Sequence, residues 1–125
     1  MAALPETHQA WPYSTPRQTT LGKGRHTRGR LGFVLLNSEE TADDDIRSIV
    51  PDDVGVFYTR VPLADPVTIE NLAAVGDDLG AAASLLPPDM DAIAYVCTSG
   101  GVVVGEENVA RALNEGQSGA KTTSL

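Results

Sequence analysis

Short apolar runs along the chain predict four β-strands. Leu31–Leu36 is a compact apolar run, and Val54–Val61 is rich in β-branched and aromatic residues. Ile93–Val96 is a short apolar and aromatic run bounded by turn signals, as is typical of a buried parallel strand. Ala120–Ser124 has the composition of a short fourth strand.

Amphipathic segments between these runs predict helices. Thr41 or Ser38 can cap a first helix that ends near Val50, and Thr68 can cap a longer helix from about Ile69 to Leu85. The apolar positions of the longer helix repeat at helical spacing and should face the sheet; they are Leu72, Val75, Leu79, Ala82 and Leu86.

A third helical pattern covers about Glu106–Asn114 and begins near Gly105. Strands and helices therefore alternate, with short connections between them. This order predicts a three-layer α/β fold with an open parallel sheet of about four strands. The predicted domain covers residues 30–125, a length that allows one hydrophobic core.

Residues 1–29 lack an apolar period and are predicted to form a basic, flexible N-terminal arm. Five of the nine basic residues lie within residues 1–30, together with a single acid, although the whole chain carries a net charge of −8. The predicted domain is therefore strongly acidic, which argues against a nucleic-acid-binding surface on it.

Composition also limits the cofactors and the cellular location. The single cysteine cannot form an internal disulfide, and no apolar run is long enough to cross a membrane, so we expect a cytoplasmic protein. Both histidines lie in the arm, and no phosphate-binding or dinucleotide-binding glycine motif is present. We expect neither a metal nor a cofactor.

The clearest candidate chemistry follows the third strand, where the sequence reads Cys97-Thr98-Ser99-Gly100-Gly101. Ligands of open α/β sheets bind beyond the carboxyl ends of the strands. Hydroxyl groups and glycine N–H groups can hold an anion there, and such an environment favours a thiolate that acts as a base or nucleophile. The alternative is that Cys97 is a small buried hydrophobic residue.

Two further groups are predicted near the same edge of the sheet. Asn37 and Ser38 end the first strand and either contact a substrate carboxylate or form a turn and helix cap. Tyr58 and Arg60 lie near the end of the second strand, where Arg60 can bind a carboxylate or pair with a surface acid.

Four segments give the chain a resemblance to a known family. They read RLGFVLLNSEET, GVFYTRVP, VTIENL and DAIAYVCTSG. This pattern resembles the aspartate/glutamate racemase superfamily, in particular the branch of maleate cis-trans isomerase, arylmalonate decarboxylase and the ectoine-utilisation racemase-like proteins. The last of these look most similar. The resemblance covers roughly the last three quarters of the chain, and the Cys-Thr-Ser-Gly segment is its most specific part.

The resemblance implies a cofactor-independent enzyme that acts on a small carboxylate or dicarboxylate. It implies a flavodoxin-like α/β half that faces a second half across a cleft, each half supplying one cysteine. Cys97 would be the first-half cysteine. The implied substrate contacts are Thr98, Ser99, Gly100, Asn37, Ser38 and Tyr58.

The family continues where this chain stops, so the resemblance implies an N-terminal half-domain, with a missing second half or a homo-oligomer as its partner. Neither a membrane nor a nucleic acid is an expected partner. Two alternatives stay open: a carboxylate-binding α/β domain without catalysis, and an inactive truncated fragment. A two-base racemisation would require a second base, because the chain holds one cysteine.

Overall fold

The computed structural model describes residues 20, 22 and 24–125. Its sheet consists of β1 (Gly29–Leu36), β2 (Val54–Val61), β3 (Ala92–Val96) and β4 (Lys121–Ser124). All pairings are parallel, and the strands lie in the order β2-β1-β3-β4. This confirms the predicted α/β fold with a four-stranded parallel sheet.

Four helices accompany the sheet: α1 (Ala42–Ile49), α2 (Ile69–Ser84), α3 (Thr98–Val104) and α4 (Glu106–Gly116). Side chains alternate between the two faces of a strand, so Phe57 and Tyr58 point to opposite faces. Phe57 packs against the core that α2 and α4 cover, whereas the Tyr58 hydroxyl donates to the Asp43 carbonyl of α1. The helices therefore lie on both faces and give three layers.

The hydrophobic core lies between the sheet and the pair α2 and α4. Val34, Ile93 and Tyr95 of the sheet are fully buried there, together with Leu79 of α2 and Leu113 of α4. The five apolar positions predicted to face the sheet from the longer helix are all buried. A Cβ at position 116 would collide with the carbonyl oxygen of residue 80, so glycine at that position lets α4 approach α2 closely.

The segment after β3 differs from its prediction. The helical pattern after β3 was predicted to begin near Gly105, but an additional helix, α3, begins at Thr98, immediately after Cys97. Gly105, with a φ of 87°, separates α3 from α4. Thr, Ser and Gly have low helix propensity, so the sequence pattern did not indicate α3. The cap at Cys97 and contact with α2 stabilise this helix.

The helix caps confirm one prediction and correct another. The Thr68 hydroxyl accepts a hydrogen bond from the Asn71 N–H at 3.1 Å, as predicted. Neither Ser38 nor Thr41 caps α1 through its side chain; instead Glu39 Oε1 accepts from the N–H of Thr41 at 2.9 Å and of Ala42 at 3.0 Å. These bonds, that from Thr41 foremost, hold the pKa of Glu39 below its usual value.

Most of the predicted N-terminal arm lies outside the described residues, so its flexibility stays a prediction. The described end of the arm contacts the domain. The His26 and Phe57 rings meet edge-on, with 5.5 Å between their centroids, and Arg28 Nε lies 3.6 Å from Asp53 Oδ1 in an ion pair. Within the described part of the chain, no helix combines the length and apolar character needed to span a membrane.

Candidate active site

The carboxyl ends of β1 and β3 lie side by side at one edge of the sheet. Leu35 pairs with Val96, so the residues that follow β1 and those that follow β3 lie at the same level in the sheet. Neighbouring strands are about 4.8 Å apart. The structure therefore brings Asn37 and Ser38 to the same edge as Cys97 and Thr98.

Cys97 is the N-cap residue of α3. Its backbone is extended (φ −163°, ψ 103°), and the chain enters the helix at the next residue. The sulfur accepts a hydrogen bond from the Gly100 N–H at 3.3 Å and lies 3.7 Å from Ser99 Oγ. The thiol thus occupies the place that a serine hydroxyl takes in an ordinary cap, and it is half-buried rather than part of the closed core.

The hydroxyl residues of α3 are available to a ligand. Thr98 and Ser99 are exposed, whereas Gly100 beneath them is buried. Thr98 also borders a hollow of about 140 Å³ beside Glu106, Ser124 and Leu125. Among the predicted contacts, Thr98 and Ser99 are those that the structure places beside the thiol with their side chains towards solvent.

Tyr95 is a site residue that sequence reasoning missed. Its side chain is fully buried, and its hydroxyl has no hydrogen-bond partner among the described residues. A Cβ on Gly100 would collide with that hydroxyl and would lie 3.0 Å from Cys97 Sγ. Burial foremost, and then the neighbouring Cys97, raises the pKa of Tyr95, so the phenol keeps its proton.

The end of β1 is occupied by bonds within the chain. Asn37 Oδ1 accepts from the Leu63 N–H at 2.9 Å, and the Asn37 N–H donates to the Val61 carbonyl at 2.8 Å. Ser38 is exposed, and its side chain makes no hydrogen bond within the described part of the chain. The turn role that the sequence left open for Asn37 is present; its role in substrate binding stays a prediction.

Arg60 supports the loop that follows β1. Its Nη1 donates to the carbonyl oxygen of Leu36 at 2.9 Å and to that of Glu39. Both partners are main-chain groups, so neither of the uses considered from the sequence, a substrate carboxylate or a surface acid, is seen here. The guanidinium instead fixes the loop that carries Asn37 and Ser38.

Tyr58 is not brought to the Cys97 turn. Tyr58 of β2 and Ala94 of β3 both pair with Phe33 of β1, which lies between them. Tyr58 is therefore two strands away from β3 and level with a residue three positions before Cys97. Its hydroxyl donates to the Asp43 carbonyl at 3.0 Å, and Arg47 lies 5.1 Å above its ring. The placement gives no support to the substrate contact predicted for Tyr58, because its side chain serves to attach α1.

A pocket lies elsewhere, between α2 and α4. It measures about 590 Å³ and is lined mostly by small side chains, with Asp77, Arg111 and Glu115 among its charged residues. No cysteine or histidine lines it. Elsewhere in residues 24–125, no group of three or more His, Cys, Asp or Glu side chains is arranged to hold a metal ion.

Comparisons with known proteins place the fold. No protein-family model matches the chain, and no curated protein matches it significantly. Among solved structures, the chain is similar to the crystal structure of the maleate isomerase Iso from Pseudomonas putida S16, with a TM-score of 0.53 and 18% identity. The match covers 78% of this chain and 44% of that one, so the chain spans less than half of that protein. The likeness shows an α/β fold shared with part of that protein.

Proposed function

We propose that this chain belongs to a cofactor-independent isomerase or racemase-type enzyme that acts on a small carboxylate or dicarboxylate through the thiolate of Cys97. The observation that carries the proposal is the position of the sulfur. It lies at the carboxyl end of an inner strand, half-buried, with the Gly100 N–H at 3.3 Å and Ser99 Oγ at 3.7 Å. The fold shared with a maleate isomerase supports it.

The chemistry requires one nucleophile and a site for carboxylates. Rotation about a cis double bond requires that bond to become single for a time. A thiolate can achieve this by adding to one alkene carbon: the C–S bond forms, and the electron pair of the double bond moves towards the carboxylate on the other carbon. After rotation the same C–S bond breaks and the trans double bond returns, so no atom is gained or lost.

Thr98 and Ser99 are the groups proposed to bind the substrate. Both residues are exposed, and Ser99 Oγ lies 3.7 Å from the sulfur. Their hydroxyls can donate hydrogen bonds to a carboxylate whose negative charge grows during the addition. Asn37 and Ser38 border the same edge of the sheet from β1. For a racemisation, Cys97 would instead remove the α-proton from one face, and a second base would have to come from another polypeptide segment.

Maleate is the probe that tests this proposal. The protein is incubated with maleate, and fumarate is followed by proton NMR, with Cys97→Ser as the matched control. We expect turnover that falls by about 10³-fold or more in the variant, since removal of a nucleophile has effects of this size. In parallel, iodoacetamide should alkylate Cys97 faster than a simple thiol at neutral pH, and maleate should slow the alkylation.

The two readouts separate the competing functions. Because the chain contains one cysteine, alkylation reports on Cys97 alone. Protection by maleate or another small dicarboxylate without turnover would favour a carboxylate-binding domain over an enzyme. A thiol that reacts no faster than a simple thiol, without protection by any of these acids, would overturn the proposed catalytic thiolate.

A further inference from the structure

The Tyr95 hydroxyl is an anomaly in a well-packed core. The residue has no exposed surface, and its hydroxyl has no partner among the described residues. Buried polar groups are nearly always hydrogen-bonded, so an orphaned one requires an explanation. Gly100, itself buried, lies above the hydroxyl, and a side chain at that position would collide with it. A ligand in the solvent-facing site therefore has no direct path to this atom.

The sulfur of Cys97 lies beside the hydroxyl, although the two atoms make no hydrogen bond in the resting structure. A Cβ built on Gly100 would touch both groups, so the hydroxyl and the sulfur flank the same point of the α3 turn. Tyr95 and Cys97 are two residues apart, and side chains at this spacing in a strand point to the same face. Both belong to one packed cluster, in which Cys97 lies at the border of the core.

We propose that Tyr95 is a positioning residue whose hydroxyl donates a hydrogen bond to the thiolate form of Cys97. This inference rests on the proposed function, in which that thiolate performs the chemistry. Tyr95 does not touch the substrate. It acts through the sulfur from the buried side, while the substrate approaches from the exposed side, where Thr98 and Ser99 lie.

The hydrogen-bond inventory explains why the thiolate would be favoured. A neutral thiol is a weak acceptor, and its sulfur already receives the Gly100 N–H. An ionised sulfur can accept from three donors at once: the Gly100 N–H, the Ser99 hydroxyl and the Tyr95 hydroxyl. Ionisation therefore satisfies a donor that is orphaned in the resting state, and hydrogen bonds to charged groups are the stronger kind.

Few other charged groups could stabilise an ionised sulfur here, and Glu106, which borders the same pocket as Thr98, carries the wrong sign of charge to do so. No residue of α3 carries an ionisable side chain. At the neighbouring end of β1, Arg60 is bound to the carbonyls of Leu36 and Glu39, and the Glu39 carboxylate is bound to the start of α1. The buried phenol keeps its proton because burial raises the pKa of Tyr95, so it can donate throughout the range in which a thiol ionises.

Tyr95→Phe tests the inference, because it removes one oxygen atom and leaves the ring. The rate of iodoacetamide alkylation is measured against pH in the wild type and the variant, without substrate. We expect the midpoint of the rate profile to rise by about one pH unit, equivalent to about a tenfold smaller thiolate fraction at neutral pH, as the loss of one charge-assisted bond implies. The thermal midpoint should stay equal or rise, since an orphaned polar atom is removed.

Tyr58→Phe is the matched control. It removes a hydroxyl from the other face of the sheet, one that is bonded to the Asp43 carbonyl. It should lower the thermal midpoint and leave the pH midpoint of alkylation in place. A purely structural role for Tyr95 predicts the reverse pattern for Tyr95→Phe: reduced stability and an unchanged profile. An unchanged profile in a folded variant would overturn the inference.

A second measurement covers the case in which Tyr95→Phe does not fold. Incorporation of 3-fluorotyrosine into the wild type makes each tyrosine hydroxyl a stronger donor and should move the midpoint to lower pH; no movement would overturn the inference. These profiles require no substrate. If the alkylation midpoint shifts but the wild type does not turn over maleate, Tyr95 is supported as the donor and the proposed function is not. If the wild type turns over maleate but the midpoint does not shift, the proposed function is supported and the role of Tyr95 is overturned.

Discussion

The two strand ends that meet at the candidate site differ in how their polar groups are used. After β1, the Asn37 side chain accepts from Leu63 and Arg60 donates to two main-chain carbonyls, whereas Ser38 is exposed without a side-chain bond among the described residues. After β3, the Tyr95 hydroxyl lacks a partner, while Thr98 and Ser99 are exposed. Both ends lie at the sheet edge where α/β proteins bind ligands. Position at this edge is therefore a weaker guide to chemistry than unused hydrogen-bonding capacity.

This difference assigns separate tasks to the two ends. Asn37, Arg60 and Glu39 each form hydrogen bonds within or to the loop after β1, so we expect this loop to be a rigid wall of the proposed site. The turn after β3 holds the thiol and the donors that an ionised sulfur or a bound carboxylate would use. Rigid walls and a single reactive group are what a small active site requires.

Gly100→Ala should have the largest effect among the changes that test this comparison. Its Cβ would collide with the Tyr95 hydroxyl and lie 3.1 Å from Tyr95 Cε1. We expect a loss of about 1–3 kcal/mol in the free energy of unfolding, as is typical of an overpacked core, despite the better helix propensity of alanine. Urea denaturation measures this loss.

Gly101→Ala is the control for that change. It gains the same helix propensity in the same turn, but its Cβ meets only Ser124, at 3.2 and 3.3 Å. The loss at position 100 should also shrink when Tyr95→Phe is present, because the hydroxyl is then gone. Equal effects of the two alanine substitutions would show that the turn is not packed around Tyr95, and the contrast between the strand ends would fail.

Asn37→Ala should have a smaller effect, on stability rather than on the thiol. It removes the acceptor of the Leu63 N–H, a bond worth about 0.5–1.5 kcal/mol of unfolding free energy. Asn37→Asp keeps an acceptor at this position and should retain much of that stability. Both variants are compared by urea denaturation, together with maleate protection of Cys97.

The opposite pattern at Asn37 would contradict the difference drawn between the ends of β1 and β3. If Asn37→Ala leaves stability unchanged but abolishes protection by maleate, the end of β1 binds substrate and is more than a wall. The role in substrate contact implied for Asn37 and Ser38 by the family resemblance would then hold.

The sequence pattern predicted most of the fold because apolar spacing directly reports which side chains are buried. Val54–Val61 matches β2 at both ends, and the five predicted core positions, four in α2 and Leu86 just after it, are buried. The pattern missed α3 because its residues have low intrinsic helix propensity, so tertiary contacts decide its conformation. The carboxyl ends of β1, β2 and β3, and the start of α2 after its cap Thr68, were recognisable from local sequence alone.

The site was less predictable, because its arrangement depends on long-range packing. Cys97 was identified from its place after a strand, but a tyrosine in a buried strand usually signals core, and nothing local shows that its hydroxyl lacks a partner. The spacing Tyr-x-Cys-x-x-Gly was the available signal for Tyr95. The partners of Arg60 are main-chain carbonyls 21 and 24 residues away, which no side-chain pattern reveals.

Glu39→Gln should have the smallest effect, and its pH dependence identifies the cause. The lowered pKa of Glu39 means that the folded protein favours the carboxylate over the acid. This contribution to stability is complete above the ordinary value of 4.5 and is lost as the pH falls through the lower folded value. The variant should melt slightly below the wild type at neutral pH, and the difference should disappear in acid.

Glu40→Gln supplies the control, because it removes an equal charge from the next residue, which is exposed. Its melting temperature should not show the same dependence on pH. If the two variants have the same melting temperature at every pH, the stability depends on the net charge of the loop and not on the hydrogen bonds from Thr41 and Ala42 to Glu39. The loop after β1 would then be less firmly held than its hydrogen bonds suggest, and the two strand ends would resemble one another more closely.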